Sequence, residues 1–397
     1  RYWRDWSSDV CSSDLGFTII VTVNPKPVIT NPVLSTTMCS GAGPLSFTPT
    51  INVASSTYTW TSVISGPITP ASVTASGSTP ITDNPINVGS VPGTITYTIT
   101  PTGPGSSFCV GSSVNYVVTV NPEPVGMNDG KIVCSDVAID YSLLQNVATL
   151  GNNVGSTFSW VATDNVNPLV TGESLAPVVG PNITDVITNL TNTDQNVMYT
   201  VTPTGTNGCL GATFQITITV KPEPKGVSAS APDICSGTSV AYDLQNNVNT
   251  FPGNNLLANF TWTATPNANV TGETTSLKSG SVIDDVLVNT TTTDQTVAYT
   301  VIPTGQAGGC VGNPFTITVK VNPKAIFSAG PDLSVCVADV SKVLGGTSSF
   351  APGGLLWTGG TGTIINPTSA NATYMLSPSD LAVTSPLHIT LTLTAGA

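Results

Sequence analysis

Three observations predict an all-β protein, an elongated array of tandem β-sandwich domains. Charges are sparse at 8% of residues, while threonine, asparagine, serine, glycine and valine dominate. Several runs alternate apolar and polar residues with a period of two. A long segment recurs about every 100 residues, the size of a whole sandwich domain.

Composition bounds the function. At 397 residues the chain has room for two to four domains, and a mean hydropathy of +0.22 provides enough apolar surface to bury real cores. A net charge of −12 argues against nucleic acid, which needs a basic face to meet phosphates. Both arginines, Arg1 and Arg4, lie at the extreme N-terminus, so the rest has no guanidinium fork for phosphate or carboxylate. No apolar run approaches the length needed to span a bilayer.

The recurring segment is YTVTPTGTNGCLGATFQITITVKPEP at 199–224, with counterparts at 97–124 and 299–325. Each copy predicts a strand ending in a Pro-Thr-Gly turn, a loop with one cysteine, a second strand and a proline-rich exit. In the second strand Phe214, Ile216, Ile218 and Val220 face one way, and Gln215, Thr217 and Thr219 the other. About seven strands fit each repeat; in the third they would start near Val227, Thr238, Asn259, Ser276, Val282, Val297 and Phe315. Helical periodicity with caps is missing, the nearest candidate being a single turn at 377–381. Tryptophans recur once per repeat, at Trp60, Trp160, Trp262 and Trp357, each read as the core tryptophan of its sandwich.

Domain boundaries follow. Residues 1–15 fit nothing downstream; 5–15 resemble one reading frame of a short-read sequencing adapter, so the segment is set aside as an artefact. Residues 16–27 read as the last strand and exit of a truncated repeat. Full repeats are expected at 28–124, 125–224 and 225–325. A truncated repeat of a different subtype follows at 326–397, which marks the chain as a fragment. The exits NPKP, NPEP and KPEP leave two or three residues between domains, so the joints should be short and stiff.

The cysteines form two series, early (Cys39, Cys134, Cys235, Cys336) and loop (Cys109, Cys209, Cys310), with Cys11 set aside. Pairing within repeats (Cys39–Cys109, Cys134–Cys209, Cys235–Cys310) gives separations of 70, 75 and 75, and pairing across linkers (Cys109–Cys134 and so on) gives 25, 26 and 26. Spacing cannot choose. The closing strand carries the chain roughly 23 Å from the loop cysteine, which favours pairing within repeats. That choice requires the early cysteine to sit beside the loop end of its sandwich. Either way, paired cysteines imply an oxidising compartment.

Candidate chemistry is thin. His388 is the only histidine and is placed on the polar face of an alternating strand, so no Ser-His-Asp or Cys-His set is available in the full repeats. Glu173 and Glu273 follow glycine in turns. Asp194 and Asp294 are read as closing a corner by bonding backbone amides. No cofactor is expected; calcium is the alternative, with Asp185, Asp194, Asp284, Asp285 and Asp294 as its candidate ligands. The WTGGTG run at 357–362 lacks the Lys-Ser/Thr of a phosphate loop and reads as a glycine turn.

These residues resemble the PKD-like/Ig-like repeats of large Bacteroidota surface and secreted proteins. The resemblance rests on the early Ile-Cys-Ser-Gly (Ile234 to Gly237), the Phe/Tyr-x-Trp strand, Tyr-Thr-Val-x-Pro-Thr-Gly, Gly-Cys-x-Gly, Thr-Ile-Thr-Val and Asn-Pro-x-Pro. The first repeat departs from it, with Phe108 before its loop cysteine. The resemblance implies export, type IX secretion and a non-catalytic stalk or adhesin role at the outer cell surface. Its partners would be a surface protein or glycan and the neighbouring repeats. A carbohydrate- or protein-binding module and an accessory region of a secreted hydrolase are the alternatives.

Overall fold

The computed structural model describes residues 18–105, 109–163, 168–250, 254–351 and 353–396. The protein is all-β, a series of Ig-like units, with four separate hydrophobic cores built around Trp60, Trp160, Trp262 and Trp357.

Each of the first three units has its own main sheet, built to one strand order. Across it stand an early strand, a closing strand, a tyrosine strand, a tryptophan strand and a two-residue edge strand, in that order. In the first unit these are Ser35–Cys39, Val114–Asn121, Gly93–Thr102, Thr57–Ser65 and Ser76–Gly77. The second has Asp129–Cys134, Phe214–Lys221, Gln195–Gly205, Ser156–Ala162 and Val178–Val179. In the third the early strand is split into Ala229–Ser230 and Ile234–Cys235, followed by Phe315–Asn322, Gln295–Gly305, Ala258–Ala264 and Lys278–Ser279. Burial alternates residue by residue along Gly93–Thr102 and Phe214–Lys221, as the period of two demands.

All pairings in these sheets are antiparallel except one. The early strand runs parallel to the closing strand, placing Cys39 opposite Asn121, Cys134 opposite Lys221 and Cys235 opposite Asn322. The early cysteine therefore lies at the exit end of its unit, beside the residue that precedes the first proline of the joint.

Each tryptophan ring meets the tyrosine of the neighbouring strand edge-on. The centroids are 5.5 Å apart for Trp60–Tyr97, 5.6 Å for Trp160–Tyr199 and 5.5 Å for Trp262–Tyr299.

The structure corrects two expectations about elements ahead of the fourth unit. Helices occur at Leu143–Thr149 and Leu244–Thr250, inside repeats read as purely β. Seven residues are too few for a helix to persist alone. These two hold because Leu143 and Val147, like Leu244 and Val248, enter the core, and because Asn146 and Asn247 bond Tyr141 and Tyr242. The strand expected at 17–23 is the second correction. Phe17 lies outside the described residues, and 18–23 form no strand; Ile19, Ile20, Val21 and Val23 are 78–88% exposed. The alternation is present, but no described strand pairs with it, and an unpaired strand has nothing to hold it.

The fourth unit has a smaller core of Leu344, Leu355, Trp357, Ala372, Tyr374 and Leu393. Its tryptophan strand Leu355–Gly359 pairs with Leu391–Ala395. The single turn at Pro378–Leu381 is closed by a capping box between Ser377 and Asp380. His388 precedes the strand at Leu391–Ala395 instead of standing within it.

Candidate functional site: the joint between repeats

The described residues concentrate their distinctive chemistry at the joints. At the exit of each of the first three units, a serine follows the early cysteine. Asn87, Asn189 and Asn289 donate from their amide backbones to Ser40, Ser135 and Ser236. Their side-chain amides reach across to the carbonyls of Val120, Val220 and Val321 in the closing strand, at 2.8–2.9 Å. These asparagines are at most 5% exposed. Buried amides must find partners, so the network fixes the end of the closing strand against the segment carrying the cysteine. The sequence reading missed this clamp; the serine after Cys39, Cys134 and Cys235 was its one visible sign.

The entry end of the next unit is built to receive this exit. A Cβ added at Gly211 would lie 2.0 Å from the Pro124 carbonyl oxygen; at Gly312 it would lie 1.9 Å from that of Pro224. Only glycine lets the proline exit lie on the loop. Asn152 then holds the Glu123 carbonyl at 2.7 Å, and Asn254 holds that of Glu223 at 2.8 Å. Asn207 donates to the Pro122 carbonyl while accepting from the Cys209 amide, tying the cysteine loop to the incoming linker.

This arrangement decides the disulfides. Cys39 is bonded to Cys209 and Cys134 to Cys310, with Cα–Cα distances of 5.6 and 5.5 Å. Each bridge joins the early cysteine of one repeat to the loop cysteine of the next. The pairings expected within repeats (Cys39–Cys109, Cys134–Cys209, Cys235–Cys310) are thereby corrected, and those across adjacent linkers do not occur either. The reason is the parallel register. Cys39 sits at one end of the closing strand and Cys109 before the other, and eight residues at roughly 3.3 Å hold them far beyond disulfide reach. Cys109, Cys235 and Cys336 carry free thiols, and Cys11 lies outside the described residues.

Glu223 lies in the second joint at 4% exposure, 4.0 Å from the Lys225 ammonium. Burial, with the Asp136 carboxylate beside it, pushes its carboxyl up to about 7; Lys225 opposes the shift. Burial likewise raises Glu123 in the first joint.

The calcium candidates are dispersed. Asp185 accepts from Ser174 N at 2.6 Å, Ser174 Oγ at 2.8 Å and Tyr199 Oη at 2.7 Å. Asp285 does the same with Thr274 and Tyr299. In the first unit Asp83 plays this part with Thr74 and Tyr97, without having been singled out. Burial and these carboxylates push the three tyrosines upward. Asp194 pairs with Lys221, Asp294 with Lys320, and Asp284 with Lys278. The corner role expected of Asp194 and Asp294 belongs to Asn189 and Asn289, whose Oδ1 atoms accept Thr191 and Thr291 amides. Among the described residues no three His, Cys, Asp or Glu side chains gather as a metal site.

Glu173 and Glu273 each keep one buried oxygen without a hydrogen-bond partner, as do the indole nitrogens of Trp160 and Trp262. All four core tryptophans are at most 4% exposed. An open cavity of 830 Å³ in the fourth unit is lined by Leu333, Val335, Trp357, Tyr374, His388 and Leu391. No described helix is long and apolar enough to cross a membrane.

Fold and joints together define a tandem array of Ig-like domains cross-linked from one repeat to the next. The chain belongs to the PKD-like domain family, which matches at 36–124, 131–224 and 232–325. No curated protein matches. Among solved structures, the titin I-band fragment I67–I69 is 12% identical over 76% of this chain and 100% of that one, with a TM-score of 0.32. The human desmocollin-1 ectodomain is 10% identical over 93% and 76%, with a TM-score of 0.24. Mouse cadherin-23 EC22-24 is 12% identical over 76% and 99%, also at 0.24.

Proposed function

We propose that this chain is a non-catalytic stalk segment of an exported cell-surface protein, dividing at 28, 125, 225 and 326 into successive repeats. Its work is mechanical: it holds whatever lies beyond it at a fixed distance and direction. One observation carries this reading, the pair of disulfides that run from each repeat to its neighbour. A bridge inside a domain stabilises that domain; a bridge between domains restricts how they move against each other. Disulfides persist in oxidising surroundings, which supports an extracellular setting. Trp60, Trp160, Trp262 and Trp357 are buried in the cores of their units and serve the fold, so a glycan-binding module would need an aromatic platform elsewhere.

Small-angle scattering on the oxidised and reduced chain tests this. The oxidised chain should give one narrow distribution of end-to-end distances, and reduction should broaden it while near-UV circular dichroism stays constant. Equal distributions in both states would sink the mechanical role. Saturable binding of a glycan or surface protein by the three repeats would replace it with the binding-module reading.

A further inference from the structure

We infer that Cys109 is the receiving half of a third staple, built to bond the early-strand cysteine of another PKD-like repeat seated on the Pro27 side of the first repeat. The inference rests on the stapled-array reading and extends it to a residue that the two observed bridges leave free.

Four observations converge on Cys109. It occupies the position of Cys209 and Cys310, both bonded. In each loop the cysteine carbonyl accepts from the glycine of the Pro-Thr-Gly turn: Gly103 to Cys109 at 2.9 Å, Gly205 to Cys209 at 2.8 Å and Gly305 to Cys310 at 2.8 Å. The seat for an incoming exit is also formed. A Cβ at Gly111 would lie 2.1 Å from the Pro27 carbonyl oxygen, as those at Gly211 and Gly312 would from Pro124 and Pro224.

Burial separates the three cysteines. Cys209 and Cys310 are 0% and 1% exposed beneath their neighbours, whereas Cys109 is part-exposed. Finally, Ile19, Ile20, Val21 and Val23 stand exposed just ahead of Pro27, where Phe214–Lys221 stands ahead of Pro224. They carry the alternation of a closing strand and are the surface such a repeat would cover. Cys235 offers the complementary half, since it lies opposite Asn322 as Cys39 lies opposite Asn121.

The bond forms by thiol–disulfide exchange. Two thiols lose two protons and two electrons to a disulfide-type oxidant, such as glutathione disulfide, which leaves as two molecules of glutathione.

To test this, a second copy of residues 125–224 is inserted between Pro27 and Val28 of the full chain. The protein is then oxidised with glutathione disulfide and mapped by non-reducing peptide analysis. The inserted copy's Cys134 should bond Cys109, and alkylation of Cys109 should fall at least ten-fold against the unaltered chain. Cys134→Ser in the inserted copy should restore the labelling, which separates bonding from simple coverage. Cys109 remaining alkylatable while Cys39–Cys209 and Cys134–Cys310 are intact overturns the inference and leaves the stalk reading standing. Loss of the Cys39–Cys209 bridge on insertion overturns it too, because the fold would then not accept a repeat on that side. So does finding Cys109 bonded to Cys39 in the unaltered chain.

Discussion

Pulling the oxidised chain by its two ends should reveal interleaved bridges through the length at which it stops extending. The separations of 170 and 176 residues overlap, because Cys134 lies inside the span closed by Cys39 and Cys209. The shortest covalent path therefore crosses from Cys39 to Cys209, runs back along the second repeat to Cys134 and crosses to Cys310. That path contains about 200 residues, or roughly 700 Å at ~3.5 Å each; the reduced chain should reach about 1,400 Å. Interleaving makes the bridges redundant. Cys39→Ser should add only about 70 Å and Cys134→Ser about 90 Å, whereas losing both should add about 700 Å. Bridges within repeats would behave differently, each lost cysteine releasing about 250 Å independently. Optical-tweezers traces on the wild type, the two single variants and the double variant decide between these patterns. Equal steps of about 250 Å per removed bridge would refute the interleaved pairing, and so would an oxidised contour equal to the reduced one.

Three further outcomes follow from the joints and cores. Gly211→Ala forces a methyl group against the Pro124 carbonyl and should cost about 1–3 kcal/mol; slower closure of Cys39–Cys209 on refolding and a lowered Tm would be the readouts. Asp185→Ala removes the acceptor shared by Ser174 and Tyr199, at a cost of about 2–3 kcal/mol in the calorimetric transition of the second repeat; Tyr199→Phe should cost about 1 kcal/mol. Glu223, raised to about 7 in the fold from an ordinary carboxyl value, binds its proton more tightly folded than unfolded. Its contribution is therefore complete below about pH 4.5 and lost as pH rises through 7, at most about 3 kcal/mol in total. Glu223→Gln should flatten the Tm profile between pH 5 and 8, and an unchanged slope would count against the buried acid.

The repeat length, the strands and the buried tryptophans were legible because each depends on local pattern. Alternation along Phe214–Lys221 follows from the pleat of the strand itself, whatever the sheet around it. The helices at Leu143–Thr149 and Leu244–Thr250 were not legible, since so short a segment becomes helical only when leucine and valine enter a core formed by distant strands. The asparagine clamp was hidden similarly: an asparagine reads as a turn residue until the closing strand offers it a carbonyl.

The sequence by itself determined that this protein is a tandem all-β array with one early and one loop cysteine in each of the three full repeats. Which cysteines meet was decided only in three dimensions. Two regular spacings were available along the chain, and the protein uses neither. The parallel pairing of early and closing strands carries Cys39 to the exit of its unit, while the seat at Gly211 brings Cys209 to that same exit from the next. Contact between consecutive domains depends on which ends face each other, and no local periodicity encodes that.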